Sequence, residues 1–426
     1  MMTLRTMAGA GRSIAAVLFS LIGGVMNATW PLFCKPESPE LIRVATSNGW
    51  QWENVWLPFI IHSTVLNAIF CVSVVGPDTL SAVYREASPV DLGLVCTFSF
   101  LWGSGTACFS LGIQLLGAGP GTALVMSLLV VIGTLLPLIE DHADDAGSPA
   151  ALVTLLGLLF AISGFVSSAL SSGIKARAIE AAQSKAKAES GADEQADRVE
   201  ASTAAAAVAA PGATGTPHAK AVTGTTQPGE ETTPAPTKEA SDKTKGAGEQ
   251  TSHLTAVAVC VAGAVMSSML QFSFVYGDPL ITHAEEEEGV SGAAAPLVVW
   301  LPAFSLAALW NVAYAVYLLS KNETWARYTW LGWLDAARKV RNITVMSLFF
   351  VGHIHFYGQS QHLFGDLGPV VAWPLIMSST VLSGQIWSVF MKEWAGVPPL
   401  AMKVNVASIC LLVAAVSIIA VAGAVL

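Results

Sequence analysis

"LWGSGTACFSLGIQLLGAGPGTALVMSLLVVIGTLLPLI", residues 101–139, contains no Asp, Glu, Lys or Arg. A helix crosses a bilayer core of roughly 30 Å in about 20 apolar residues. The stretch is therefore read as the end of one span, 91–115, and the whole of a second, 119–139. Working outward, the same test gives 13–33, 55–76 and 151–171 in the first half of the chain. In the second half it gives 254–276, 295–319, 343–364, 368–390 and 403–425. Arg5 and Arg12 precede the first apolar run as they would in a secretory signal. The repeat described below makes it a retained span.

The composition agrees. Of 426 residues 53% are hydrophobic and only 12% charged, with a mean hydropathy of +0.58. Soluble domains carry about 25% charge. Nine of the 21 Lys and Arg and eleven of the 30 Asp and Glu fall between Lys175 and Ser252. That gives three parts: a first half at 1–172, a cytoplasmic linker at 173–252 and a second half at 253–426. The start of the linker extends the fifth helix; the rest has no apolar face to bury and is expected to be disordered. The net charge of −9 gives no support for nucleic-acid binding. The six cysteines lie on or beside apolar segments without paired spacing, as small fillers rather than a disulfide or zinc framework.

If the loops after spans 1, 3, 5, 7 and 9 face the cytoplasm, they hold 18 of the 21 Lys and Arg, and Arg5, Arg12 and Arg85 lie opposite. The positive-inside rule then puts both termini on the non-cytoplasmic side. The sequons at Asn27, Asn322 and Asn342 fall in spans or on the cytoplasmic side, where no glycan is expected.

The halves match each other in register. At an offset of 240, "GGVMNA" (23–28) meets "GAVMSS" (263–268), with Gly23/Gly263, Val25/Val265 and Met26/Met266 identical. At 249, Phe100/Phe349, Gly103/Gly352, Gly119/Gly368, Pro120/Pro369 and Ala123/Ala372 coincide. Five spans per half is an odd number, so two copies must lie in opposite orientations. The expected fold class is an all-α integral membrane protein of ten transmembrane helices in two inverted five-helix repeats, with a solute site where the repeats meet.

Helical periodicity selects candidate lining residues, since positions 3, 4 and 7 apart share a face. "VGHIHFYGQSQHLFG" (351–365) carries His355, Gln359 and His362 on one stripe and His353, Tyr357 and Ser360 on another. The 249 offset maps His355 to Thr106 and Gln359 to Ser110, and Trp102 lies one turn before Thr106. Asn27 and Trp30 on span 1, Gln271 on span 6, and Asn311 and Tyr314 on span 7 complete the set. Aromatic faces beside amides and hydroxyls suit a sugar, which stacks its C–H surface and exchanges hydrogen bonds. Packing is the other reading for Trp30 and Tyr314, and interhelical hydrogen bonding for the histidines. His353 and His355 diverge on a helix, so no metal is expected from this span. His355, His362 and Glu53 are the candidates for carrying a proton. Without a GxxxxGK[ST] loop, nothing points to ATP use or to an enzyme, and no cofactor is expected.

The chain also resembles the L-rhamnose–proton symporter family of the drug/metabolite transporter superfamily. The resemblance is carried by "WQWENVW" (50–56), 101–139, "TLLGLLFAISG" (154–164), "PLVVWLPAF" (296–304) and "KEW" (392–394). It implies ten helices in two inverted repeats and secondary transport of a sugar or similar polar metabolite in symport with protons. It also makes Glu53 a matched position. The expected partners are thus a small sugar, protons and membrane lipid. A nucleotide-sugar or metabolite exchanger of an internal membrane and a non-transporting membrane scaffold are the alternatives.

Overall fold

The computed structural model describes residues 2–34, 49–116, 118–140, 147–208, 253–329, 332–365 and 368–425. Those residues are helical almost throughout and include no strand. The chain divides into two units, Met1–Ala176 with His253–Leu426, and Arg177–Ser252. In the smaller unit the described residues, 177–208, are helical; the rest of the linker, 209–252, lies outside the described residues.

The larger unit is built from α1 (Met2–Thr29), α2 (Trp52–Val75), α3 (Pro77–Glu86), α4 (Pro89–Leu116), α5 (Ala118–Glu140) and the first part of α6 (Pro149–Val208). After the linker come α7 (His253–Val275), α8 (Asp278–Glu286), α9 (Leu297–Lys321), α10 (Trp333–Phe364), α11 (Gly368–Phe390) and α12 (Pro399–Val425). Short 3₁₀ turns follow α1 at Trp30–Cys34 and α9 at Trp325–Tyr328. Among the described residues seven helical stretches are long and apolar enough to cross a membrane: Gly11–Cys34, Trp52–Val75, Pro149–Ala182, Leu254–Glu286, Leu297–Lys321, Gly368–Phe390 and Pro399–Gly423.

The side chains of α2 show how such a helix sits. Ile61, Val65, Ile69 and Val72, spaced by 3 or 4, are exposed, while Phe59, Ser63, Asn67 and Cys71 on the other face are buried. An apolar outer stripe around a polar inner one reverses the arrangement of a soluble helix and suits lipid as solvent. The chain is an integral membrane protein.

Two packing rules position the interior. The first is close approach at glycine. A Cβ on Gly103 would lie 2.6 Å from the Ala307 backbone, and a Cβ on Gly105 2.6 Å from the Ser267 nitrogen. Helix α4 is therefore wedged between α9 and α7 with no side chain between the backbones, as small residues allow in membranes. The second rule is reciprocity between α2 and α9, which pack antiparallel. The tetrapeptide "VWLP" occurs at 55–58 in α2 and again at 299–302 in α9, an offset of 244. Pro58 and Pro302 sit inside their helices and leave the carbonyls four residues earlier without an amide donor. A tyrosine caps each: Tyr328 Oη donates to Asn54 O at 3.1 Å, and Tyr84 Oη donates to Val298 O at 2.7 Å. Tyr84 and Tyr328 are themselves 244 residues apart. Burial pushes the Tyr328 hydroxyl up to about 12 and also raises that of Tyr84, so both hydroxyls stay protonated as donors.

Around this pair, α1 packs on α10 and α11, and α7 packs on α4 and α5. At one end of the bundle Trp50 Nε1 donates to Arg327 O at 3.2 Å; at the other, α3 meets α8 through His283 and Glu86 at 3.5 Å.

Candidate functional site

A cavity of about 360 Å³ lies between α2, α4, α7, α9 and α10. Its size falls in the usual range for small-molecule pockets, about 300–1,000 Å³. Helix α2 presents Trp52, Trp56 and Ile60 to it at successive turns, then Ser63 and Thr64. Helix α4 adds Trp102 and Thr106, on either side of the glycines that let it approach α9 and α7. Ser267 of α7, Phe304 and Asn311 of α9, Phe350 of α10 and Trp30 complete the wall.

The aromatic rings brace one another. Trp52 stacks on Trp56 at 4.8 Å, Trp30 stacks on Phe59 at 5.3 Å, and Phe350 meets Trp30 edge-on at 5.5 Å. Such pairs contribute about 0.5–1.5 kcal/mol each beyond burial. Asn311 is the amide of the wall and is held on three sides. Its Oδ1 accepts from Trp56 Nε1 at 3.2 Å, and its Nδ2 donates to Ala307 O at 2.9 Å and to Gly103 O at 3.4 Å. One lone pair of Oδ1 is left over. The Ser63 hydroxyl, also in the wall, is buried without a partner among the described residues. The cavity thus combines broad aromatic faces with a few fixed polar atoms, and among the described residues no Lys, Arg, Asp or Glu lines it.

Of the residues singled out by periodicity, Trp30, Trp102, Thr106 and Asn311 come together here. Tyr314 meets Trp52 edge-on at 6.1 Å beside the cavity. Asn27 accepts from Trp30 Nε1 at 3.0 Å and donates to Thr380 Oγ1 at 3.2 Å, so it orients Trp30. The side chain of Ser110 lies outside the described residues. The others sit elsewhere. His355 and Gln359 line a separate cavity of about 300 Å³ with Phe70, Pro296 and Trp300. Gln271 and His362 line a third, of about 530 Å³, with Arg12, Asp278, Glu285 and Gln361. There the buried Gln361 donates to Tyr357 Oη at 2.7 Å, which donates to Gln271 Oε1 at 2.9 Å. His362 faces Glu285 at 3.9 Å. Glu53 is buried at the start of α2, where it accepts from Asn322 Nδ2 and Thr324 Oγ1, each at 3.0 Å. Among the described residues no cluster of three His, Cys, Asp or Glu side chains could hold a metal ion.

The expected pairing of the His355 stripe with Thr106 across one cavity does not occur: α10 reaches the tryptophan cavity through Phe350 alone, and His355 packs on Phe70 with ring centroids 4.3 Å apart. Periodicity fixes which residues share a face but not which neighbour the face meets. Trp52, Trp56 and Ser63 were missed as lining residues because "WQWENVW" draws attention to its acid. Their spacing of four and seven, and the second copy of "VWLP", were the signals that could have found them.

Compared with known proteins, the chain is similar to L-rhamnose-proton symporters. That of Klebsiella pneumoniae subsp. pneumoniae is 30% identical over 127 residues, which cover 27% of this chain and 34% of the relative. That of Yersinia pestis (strain Pestoides F) is 27% identical over 132 residues, 30% of this chain and 38% of the relative. The chain thus spans about a third of the length of the curated relatives it matches. No family model matches it. No solved structure matches it either.

Proposed function

We propose that the chain is a secondary transporter of a sugar, L-rhamnose or a similar polar metabolite, that works by alternating access in symport with protons. The observation that carries the reading is the tryptophan cavity with Asn311 in its wall: aromatic faces for the C–H surface of a pyranose, amide and hydroxyl groups for its oxygens, and no charge. The named activity of the similar proteins points the same way. On this reading α1, α2, α4, α5 and α6 form one five-helix repeat, and α7, α9, α10, α11 and α12 form its inverted copy. Three features support that arrangement. The α1 contacts with α10 and α11 mirror those of α7 with α4 and α5. The capping of the Pro58 and Pro302 carbonyls is reciprocal. The 244 offset relates Trp56 to Trp300 and Asn67 to Asn311 as well. The end that carries Lys321, Arg327, Arg338, Lys339 and Arg341 is the cytoplasmic one by the positive-inside rule.

His355, His362 and Glu53 are the candidates for the coupling proton, and the His362–Glu285 pair on the far side is the one already set against a carboxylate. A nucleotide-sugar or anion exchanger would need a cationic wall, and no Lys or Arg lines the cavity among the described residues. The direct test is uptake of labelled L-rhamnose into proteoliposomes, alongside a panel of monosaccharides, nucleotide sugars and small metabolites. Sugar accumulation that rises with an inward proton gradient is expected. Absence of flux for every compound would leave a non-transporting scaffold as the reading.

A further inference from the structure

The internal repeat relates more than helices; it relates cavities. Under the 244 offset Trp52 and Trp56 correspond to Pro296 and Trp300, and under the 249 offset Thr106 corresponds to His355. Trp52, Trp56 and Thr106 line the tryptophan cavity. Pro296, Trp300 and His355 line the cavity of about 300 Å³ on the other side of Phe304. Tyr314, at the rim of the first, corresponds at 244 to Phe70, which lines the second.

Three buried nitrogens beside this second cavity lack a hydrogen-bond partner among the described residues. Trp56 Nε1 has Asn311 as its acceptor. Its counterpart Trp300, 1% exposed, leaves its Nε1 with no partner among the described residues. The residue equivalent to Asn311, Asn67, spends its Nδ2 on Trp300 O at 3.1 Å, and its Oδ1 takes only the weak Cys71 thiol at 3.8 Å. Both ring nitrogens of His355 are likewise buried without a partner among the described residues. Gln359 donates to Ala293 O, on the same wall. Buried groups without partners cost about 1–3 kcal/mol each. Three such nitrogens around one cavity mark a place where a ligand supplies the missing bonds. One indole donor and an imidazole that both donates and accepts fit a hydroxyl-bearing, uncharged ligand, and Trp300 and Phe70 supply faces for its C–H surface.

We infer that the cavity lined by Trp300, His355 and Phe70 is a second solute site, the outward counterpart of the tryptophan cavity, which takes the same class of polyhydroxylated sugar. The inference rests on the transport reading and adds a site to it. When the solute occupies this side, its oxygens replace the bonds that Trp300 and His355 lack here. Asn311 and Trp56 play the corresponding part on the cytoplasmic side.

Sided kinetics test it. Influx and efflux of L-rhamnose are measured in proteoliposomes in which the full chain has a single orientation, and KM is taken from each face. His355→Phe keeps a planar ring and removes both nitrogens; Trp300→Phe removes the indole donor. Each is expected to raise the ratio of outer to inner KM about tenfold, and Trp56→Phe is expected to lower it. An unchanged ratio in both His355→Phe and Trp300→Phe overturns the second site while leaving the transport reading intact. An equal rise in KM at both faces also overturns it, because the residues then serve one shared site. Absence of L-rhamnose flux in the unaltered chain overturns the transport reading itself. Two variants at different positions allow one to decide where the other fails to fold.

Discussion

The halves of the α2–α9 pair are built from the same parts and finished differently. At one end Trp56 is bonded to Asn311, and Asn311 is bonded in turn to the backbones of α4 and α9. At the other end Trp300 and Asn67 stand in the matching places, yet among the described residues the indole donor of Trp300 has no partner. The tyrosine caps are equal at both ends, so the shared frame is symmetric. The two copies of "VWLP" thus share their tyrosine caps and differ in the bonds of their tryptophans.

Breaking the better-bonded end should have the largest effect. Asn311→Leu removes the acceptor for Trp56 and both donors to α4 and α9. At about 1–3 kcal/mol for each buried group left unpaired, L-rhamnose uptake should fall about 10- to 100-fold. Asn67→Leu should cost less flux, because Asn67 Oδ1 holds only a thiol. Equal losses would erase the distinction between the ends.

The glycines sharpen the comparison next. Gly103→Ala pushes a Cβ to within 2.6 Å of the α9 backbone, which cannot yield without moving a helix. A loss of about 1–3 kcal/mol is expected from such overpacking, seen as a lower Tm in detergent. At Gly352, the repeat counterpart, the Cβ would meet the flexible end of Met26 instead, so Gly352→Ala should leave Tm nearly unchanged.

The caps test the symmetry itself. Tyr84→Phe and Tyr328→Phe each uncover one proline-freed carbonyl and should lower stability by about 1 kcal/mol apiece, equal within error in chemical denaturation. A difference of several-fold would mean that the two ends do not share a frame.

A last test, of pH dependence, concerns Lys339 at the Trp50 end. Its ammonium lies 4.2 Å from the Trp50 ring centroid, and burial lowers its pKa from 10.5 to about 8 against a weaker opposing pull from Asp335. Below about 8 the group is charged whether folded or unfolded, and the burial cost is present in full. Between about 8 and 10.5 the folded chain has released the proton and the unfolded chain has not. Stability relative to Lys339→Met should therefore rise with pH across that window and level off above it. A difference in Tm that is flat from pH 7 to 10.5 would contradict the lowered value.

Much of this molecule is legible in its residues alone. Charge depletion and apolar length make it a membrane protein, because a bilayer core of fixed thickness demands long uncharged helices. The i, i+4 spacing of Trp102 with Thr106, and the amide of Asn311, are visible for the same reason that any helical stripe is visible. Which stripe faces which cavity is not legible in that way. His355 and Gln359 look like the wall of the main cavity, yet they line another one. The rotation of α10 is set by its packing on α1, α2 and α11, through contacts with residues hundreds of positions away. Likewise Glu53 reads as a chemical group, but Asn322 and Thr324 tie it into the end of the bundle. The sequence by itself determined the helices, their polar faces and the paired "VWLP" segments, since these depend on local period and on transfer from water to lipid. Only the tertiary structure decided that, among the described residues, Trp56 has an acceptor and Trp300 has none, because a side-chain bond depends on which residue of a distant helix packs beside the ring.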